Sequence, residues 1–140
     1  MKKNTPISAI MTTDLIKLEL SDSLSKAEKI FKEKNIRHIP VMEGKKIVGM
    51  LSYTDLLKIS IGNRFSQAEE LVDITISDIF SIERVMTKNL LMIAPDTTIE
   101  EAANILANRE YYALPVVQND DLIGILTTTD LIRYLVDLFK

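Results

Sequence analysis

Two short polar runs in this chain carry residue types that can recognise a ligand. Ser52-Tyr53-Thr54-Asp55 follows the apolar stretch Gly49-Met50-Leu51, and Thr127-Thr128-Thr129-Asp130 follows Gly124-Ile125-Leu126. A carboxylate accepts two hydrogen bonds at once, which suits the vicinal hydroxyls of a ribose. Hydroxyls beside the free amides and positive dipole end of a helix start suit a phosphate. The glycine ahead of each run lets backbones approach closely. An architectural role fits the same residues, since Thr and Asp ahead of an amphipathic helix are ordinary N-caps.

The two runs lie 75 residues apart, and that offset also pairs Pro40 with Pro115, Gly49 with Gly124, Ala27 with Ala102 and Met11-Thr12 with Met86-Thr87. A repeat held in register means two copies of one folding unit. Catalysis finds little support. The chain has one histidine, His38, and no cysteine. It lacks a Walker-type phosphate loop and any His/carboxylate pair at metal spacing. Asp55 and Asp130 each sit in their own copy with no evident general-acid partner. The expectation is therefore no catalytic residue, no catalytic cofactor and no metal.

The elements that position the runs read from periodicity. Each copy opens on a strand, residues 15–20 and 90–94, the first alternating apolar and polar. A helix follows, with Leu24, Ala27, Ile30 and Phe31 on one face in the first copy. In the second, Ile99, Ala102, Ala103 and Leu106 form the face. Ser25 with Glu28, and Thr98 with Glu101, are read as the caps. Hairpins come next, turning at Glu43-Gly44-Lys45 and at Asn119-Asp120. Pro40 and Pro115 lack an N–H and belong at a strand start or edge. A second helix closes each copy, from Leu56 onward and from Leu131 to Phe139. The expected organisation is β-α-β-β-α twice, over residues 7–61 and 85–140, with 62–84 as a helical connector. One such unit is small for independent stability, so the two are expected to pack together.

Composition sets the outer bounds. The 140 residues suffice for one domain with a sizeable core. No apolar run reaches the roughly 18 residues of a membrane span, and the amino-terminal lysines have no apolar segment behind them, against a signal peptide. With no cysteine to form disulfides, a cytoplasmic location is the default expectation. The net charge of −3 argues against nucleic-acid binding. Charge is uneven: residues 1–75 hold 12 Lys/Arg against 10 Asp/Glu, and residues 76–140 hold 5 against 10. That asymmetry fits an anionic ligand near the first copy or contact between copies; solvated faces that drifted apart are the simpler explanation.

The set of motifs resembles the CBS domain (cystathionine β-synthase domain). It comprises Ile39-Pro40-Val41 and Leu114-Pro115-Val116, then Gly49 to Leu56 and Gly124 to Leu131, with Met11-Thr12 and Met86-Thr87 upstream. Two tandem copies resemble the CBS pair, or Bateman module, over about Ile7 to Tyr134. The resemblance implies an α+β fold whose repeats pack with pseudo-two-fold symmetry. It implies a regulatory module that binds an adenosine compound (AMP, ADP, ATP or S-adenosylmethionine) in clefts between repeats. By family pattern one cleft takes Asp55, Thr54, Ser52, Met50, Arg37, His38, Thr87, Leu91 and Tyr111. The other takes Asp130, Thr129, Thr127, Ile125, Thr12, Ile16, Ile36, Arg37 and Tyr112. In that pattern the Asp holds the ribose, its neighbouring hydroxyls meet the phosphate, and residues before the Pro line the base pocket.

The copies differ where charge would be read. Arg37-His38 precedes the first Pro and Tyr112-Ala113 the second, so the Asp55 cleft is the better candidate for a charged nucleotide. Half-buried strand packing accounts for His38 equally well. Tyr111 and Tyr112 either stack on an adenine or fill its pocket. The resemblance also implies a homodimer packed through helical faces, to which Leu131, Leu135 and Phe139 could contribute unless they are core, and an unidentified regulated protein. The rival reading is a ligand-independent dimerisation or protein-interaction module in which the hydroxyl-Asp runs serve only as caps.

Overall fold

The computed structural model describes residues 4–64, 81–109 and 111–140. Most of the expected connector therefore lies outside the described residues. Two compact units emerge, and they do not follow the sequence repeats: residues 16–89 form one, while residues up to 15 join residues 90–140 in the other.

In the unit of residues 16–89, the order is β1 (Leu18–Glu19), α1 (Leu24–Lys34), β2 (His38–Glu43), β3 (Lys46–Ser52), α2 (Tyr53–Arg64) and α3 (Ile82–Val85). β2 and β3 pair antiparallel around Gly44, whose φ of 63° is one a glycine adopts without strain. The opening strand is shorter than expected. Only Leu18 and Glu19 pair, parallel to Val41 and Met42 of β2. α1 starts two residues earlier than a Ser25 cap would allow: Ser23 is the N-cap, its hydroxyl accepting from the Lys26 amide. Leu24, Ala27 and Phe31 then face a core completed by Leu18, Ile39, Val41, Leu51, Leu56, Ile82 and Met86. The Phe31 ring meets Tyr53 edge-on, centroids 5.3 Å apart, an arrangement favoured by the ring quadrupoles.

The second unit contains a short 3-10 turn (Ile7–Ala9), α4 (Ile99–Asn108), β4 (Ala113–Gln118), β5 (Asp121–Thr127) and α5 (Thr128–Leu138). Its hairpin turns through Asn119 and Asp120, both at positive φ, as a two-residue I′ connection requires. The strand expected at 90–94 reduces to one parallel bridge, Ile93 with Val116. Thr98 caps α4, accepting from the Glu101 amide. The amino-terminal segment is tied in by backbone bonds, Ile7 N–H to Thr97 at 2.8 Å and Ile99 N–H to Thr5 at 2.9 Å. Ile7 is fully buried with Ile93, Ala102, Leu106, Leu114, Val116 and Leu126. Pro40 and Pro115 both sit inside their strands and are buried. Among the described residues no helix is long and apolar enough to cross a membrane.

Candidate functional site

Both hydroxyl-x-Thr-Asp runs lie where a hairpin strand becomes a helix, but the helices begin earlier than Leu56 and Leu131. α2 starts at Tyr53 and α5 at Thr128. The capping oxygens are therefore those of Ser52 and Thr127, and the two aspartates occupy the third helical position. There a carboxylate faces the amino-terminal amides and their positive dipole end.

The second unit closes this arrangement fully. Thr127 Oγ1 accepts from the Asp130 amide at 3.2 Å, and Asp130 Oδ2 accepts from the Thr127 amide at 3.0 Å. These reciprocal bonds form a capping box. The Thr12 hydroxyl, 118 residues away in sequence, donates to Oδ1 at 3.1 Å and to Oδ2 at 3.3 Å. Asp130 is only 7% exposed, the one buried charged side chain among the described residues. Thr12 is brought there by its backbone, which exchanges two 2.9 Å bonds with Ile125 of β5. Gly124 permits that approach: a Cβ there would stand 2.7 Å from Met11 Sδ and 3.1 Å from the Thr12 carbonyl oxygen.

In the unit of Asp55 the backbone repeats this pattern and the side chains do not. Thr87 exchanges bonds of 2.8 and 3.0 Å with Met50 of β3, and Met86 packs over Gly49 as Met11 does over Gly124. Ser52 Oγ accepts from the Asp55 amide at 3.0 Å. Yet among the described residues neither the Asp55 carboxylate nor the Thr87 hydroxyl makes a hydrogen bond. Asp55 is half-buried and Thr54 exposed.

His38 stands directly across the ladder from Ser52, and the Arg37 carbonyl accepts from the Tyr53 amide at 2.8 Å. Burial pushes the His38 imidazole below its ordinary value of 6.5. The Asp55 carboxylate acts against that shift and the Arg37 guanidinium acts with it. A free carboxylate, two hydroxyls, an imidazole and a guanidinium thus share one end of the first hairpin. Such a group can accept from a diol and meet an anion.

Of the residues expected around Asp55, the unit holds Ser52, Thr54, Met50, Arg37, His38 and Thr87, whereas Leu91 and Tyr111 belong to the other unit. Around Asp130, its own unit holds Thr129, Thr127, Ile125, Thr12 and Tyr112, while Ile16, Ile36 and Arg37 belong to the first. Tyr111 packs against its unit's core, and Tyr112 is 67% exposed with its carbonyl accepting from Thr128 N–H at 3.2 Å. Sequence reasoning placed Thr12 and Thr87 in the site without seeing what the Thr12 hydroxyl holds. It also missed the two Met-on-Gly contacts. The constant spacing of Met-Thr from the glycine was the available signal.

Comparison with known proteins gives two matches to one family model, the CBS domain, at residues 7–62 and 76–137. The homoserine O-acetyltransferase of Methanohalobium evestigatum is 31% identical over 132 residues, 93% of this chain and 24% of that protein. The chain spans only 13–34% of the length of four curated relatives, this enzyme among them. Among solved structures, CBSX2 in complex with AMP is 27% identical with a TM-score of 0.78, covering 97% of this chain and 99% of that one. CBSX2 is an Arabidopsis thaliana protein. The CBS domain pair of protein MJ0100, in complex with 5′-methylthioadenosine and S-adenosyl-L-methionine, shares the fold. Its TM-score is 0.76 at 24% identity, covering 94% of this chain and 99% of that one.

Proposed function

Because this chain belongs to the CBS domain family, we propose that it is a regulatory module, not an enzyme, that binds an adenosine ligand and signals by conformational change. The observation that carries this reading is the unengaged Asp55 carboxylate at the start of α2, with His38, Ser52 and Arg37 alongside. Asp55 accepts the ribose hydroxyls, and Ser52, Thr54, His38 and Arg37 receive the phosphate end. AMP, ADP, ATP and S-adenosylmethionine all present the diol. The complex of CBSX2 with AMP supports an adenosine compound as the ligand. Occupancy then shifts a conformational equilibrium by the ligand's differential affinity for the two states, and a regulated partner protein reads the shift in the cytoplasm.

Calorimetric titration with AMP, ADP, ATP and S-adenosylmethionine tests the reading, repeated with Asp55→Ala. Binding by at least one ligand, weakened tenfold or more by the substitution, is the expected result. No binding at millimolar concentration refutes it.

A second reading, association without ligand, is favoured by one observation. Ile132, Leu135 and Val136 of α5 and its C-cap residue Phe139 are exposed at helical spacing, Phe139 by 81%. The chain is accordingly proposed to form a homodimer through α5. Light scattering is expected to give the dimer mass, and Leu135→Glu the monomer mass; a monomeric parent chain overturns the assignment.

A further inference from the structure

The two aspartates are equivalent in sequence and opposite in what they have left to offer. Asp130 has both oxygens occupied, by the Thr127 amide and by the Thr12 hydroxyl, and it is 93% withdrawn from solvent by its 7% exposure. Asp55 accepts nothing among the described residues and is half-buried. A carboxylate binds a diol with lone pairs that are not already engaged. A second polar group added to a satisfied, buried one gains little, because the exchange merely replaces one hydrogen bond by another.

From this we infer that Thr12 is a specificity-determining residue: its hydroxyl occupies the Asp130 carboxylate and restricts the chain to one diol-binding carboxylate, Asp55. The inference rests on the adenosine-binding reading above and adds to it the number of sites and the residue that sets that number. The matching position in the other unit, Thr87, has the same backbone pairing but leaves its carboxylate open, so sequence identity at this position does not fix the outcome.

Removing the hydroxyl while keeping the β-branched shape isolates its effect. Thr12→Val preserves the two backbone bonds to Ile125 and frees one Asp130 oxygen. Calorimetric titration of the full chain with AMP is expected to give about one site per chain in the parent and in Thr12→Ser. Thr12→Val should show a second site, its affinity raised about tenfold or more above the parent's residual binding. Thr13→Val, an exposed neighbour outside the site, is expected to match the parent. Asp55→Asn should abolish the parent's site and leave Thr12→Val with the new one alone. Two equal sites in the parent, or a single unchanged site in a folded Thr12→Val, overturns the role of Thr12 while leaving adenosine binding intact. Absence of AMP binding in the parent and every variant overturns the binding reading and this inference together. Circular dichroism of each variant separates these outcomes from unfolding.

Discussion

Truncating the two equivalent aspartates should have very unequal effects on stability. Asp130→Ala removes an acceptor for the Thr127 amide and for the Thr12 hydroxyl. Hydrogen bonds to a charged group each contribute about 1.5–3 kcal/mol, and a lost cap costs about 0.5–2 kcal/mol. The bonds share one carboxylate, so they do not add in full, and a loss of about 3 kcal/mol is expected. Asp55→Ala removes no hydrogen bond among the described residues. It loses chiefly the favourable charge at the first turn of α2, about 0.3–1 kcal/mol. For a chain of this size about 4 °C of melting temperature accompanies each kcal/mol. Thermal melts without nucleotide should then show a drop of about 10 °C for Asp130→Ala and under about 4 °C for Asp55→Ala. Urea unfolding of Thr12→Val, Asp130→Ala and the double variant should give a coupling of about 1 kcal/mol or more. Equal losses for the two aspartates, with no coupling to Thr12, would refute the reasoning that Asp130 is structurally engaged and Asp55 free.

Stability should also fall on acidification through His38. Its folded imidazole takes a proton at a lower pH than the unfolded value of 6.5, so the unfolded state binds more protons and stability is full above about pH 6.5 and declines below it. His38→Gln should flatten that decline in urea midpoints between about pH 7 and 5.5; an unchanged slope would contradict the burial of His38. Gly124→Ala would drive a methyl against Met11 and the Thr12 carbonyl, whereas the three nearest atoms to a methyl at Gly49 all belong to the flexible Met86 side chain. Both should destabilise by about 1–3 kcal/mol, but only Gly124→Ala should speed amide exchange at Thr12 and Ile125, which nuclear magnetic resonance can follow residue by residue.

The hairpins and the inward faces of the first helices were legible because their signals are local. Asn119-Asp120 and Gly44 favour the turn conformations they adopt, and Leu24, Ala27 and Phe31 share a face by spacing alone. The opening strands were overread because alternation describes a side-chain pattern, while a strand needs a partner. β2 offers partners only to Leu18 and Glu19, and β4 only a bridge to Ile93. Ser23 prevailed over Ser25 as a cap because the core demands Leu24 inside the helix, and a cap at 25 would leave it outside. The helices start earlier than the apolar periodicity indicates for a related reason: the last three residues of each polar run already form the first turn.

The placement of residues up to 15 with the second hairpin was not legible at all, since no pattern within 15 residues reveals a partner 118 residues away. That long-range placement is also where the two copies part company. Thr12 and Thr87 bond to the β5 and β3 backbones in the same way, so the duplicated framework is intact at this point. One hydroxyl then reaches its aspartate and the other does not. A difference of that kind alters which carboxylate can meet a ligand without moving a strand or repacking a core, because it changes only how one hydrogen-bond capacity is used. Duplication of a binding fold therefore need not duplicate the binding, and a single hydroxyl at the end of a Met-Thr pair is enough to separate the two.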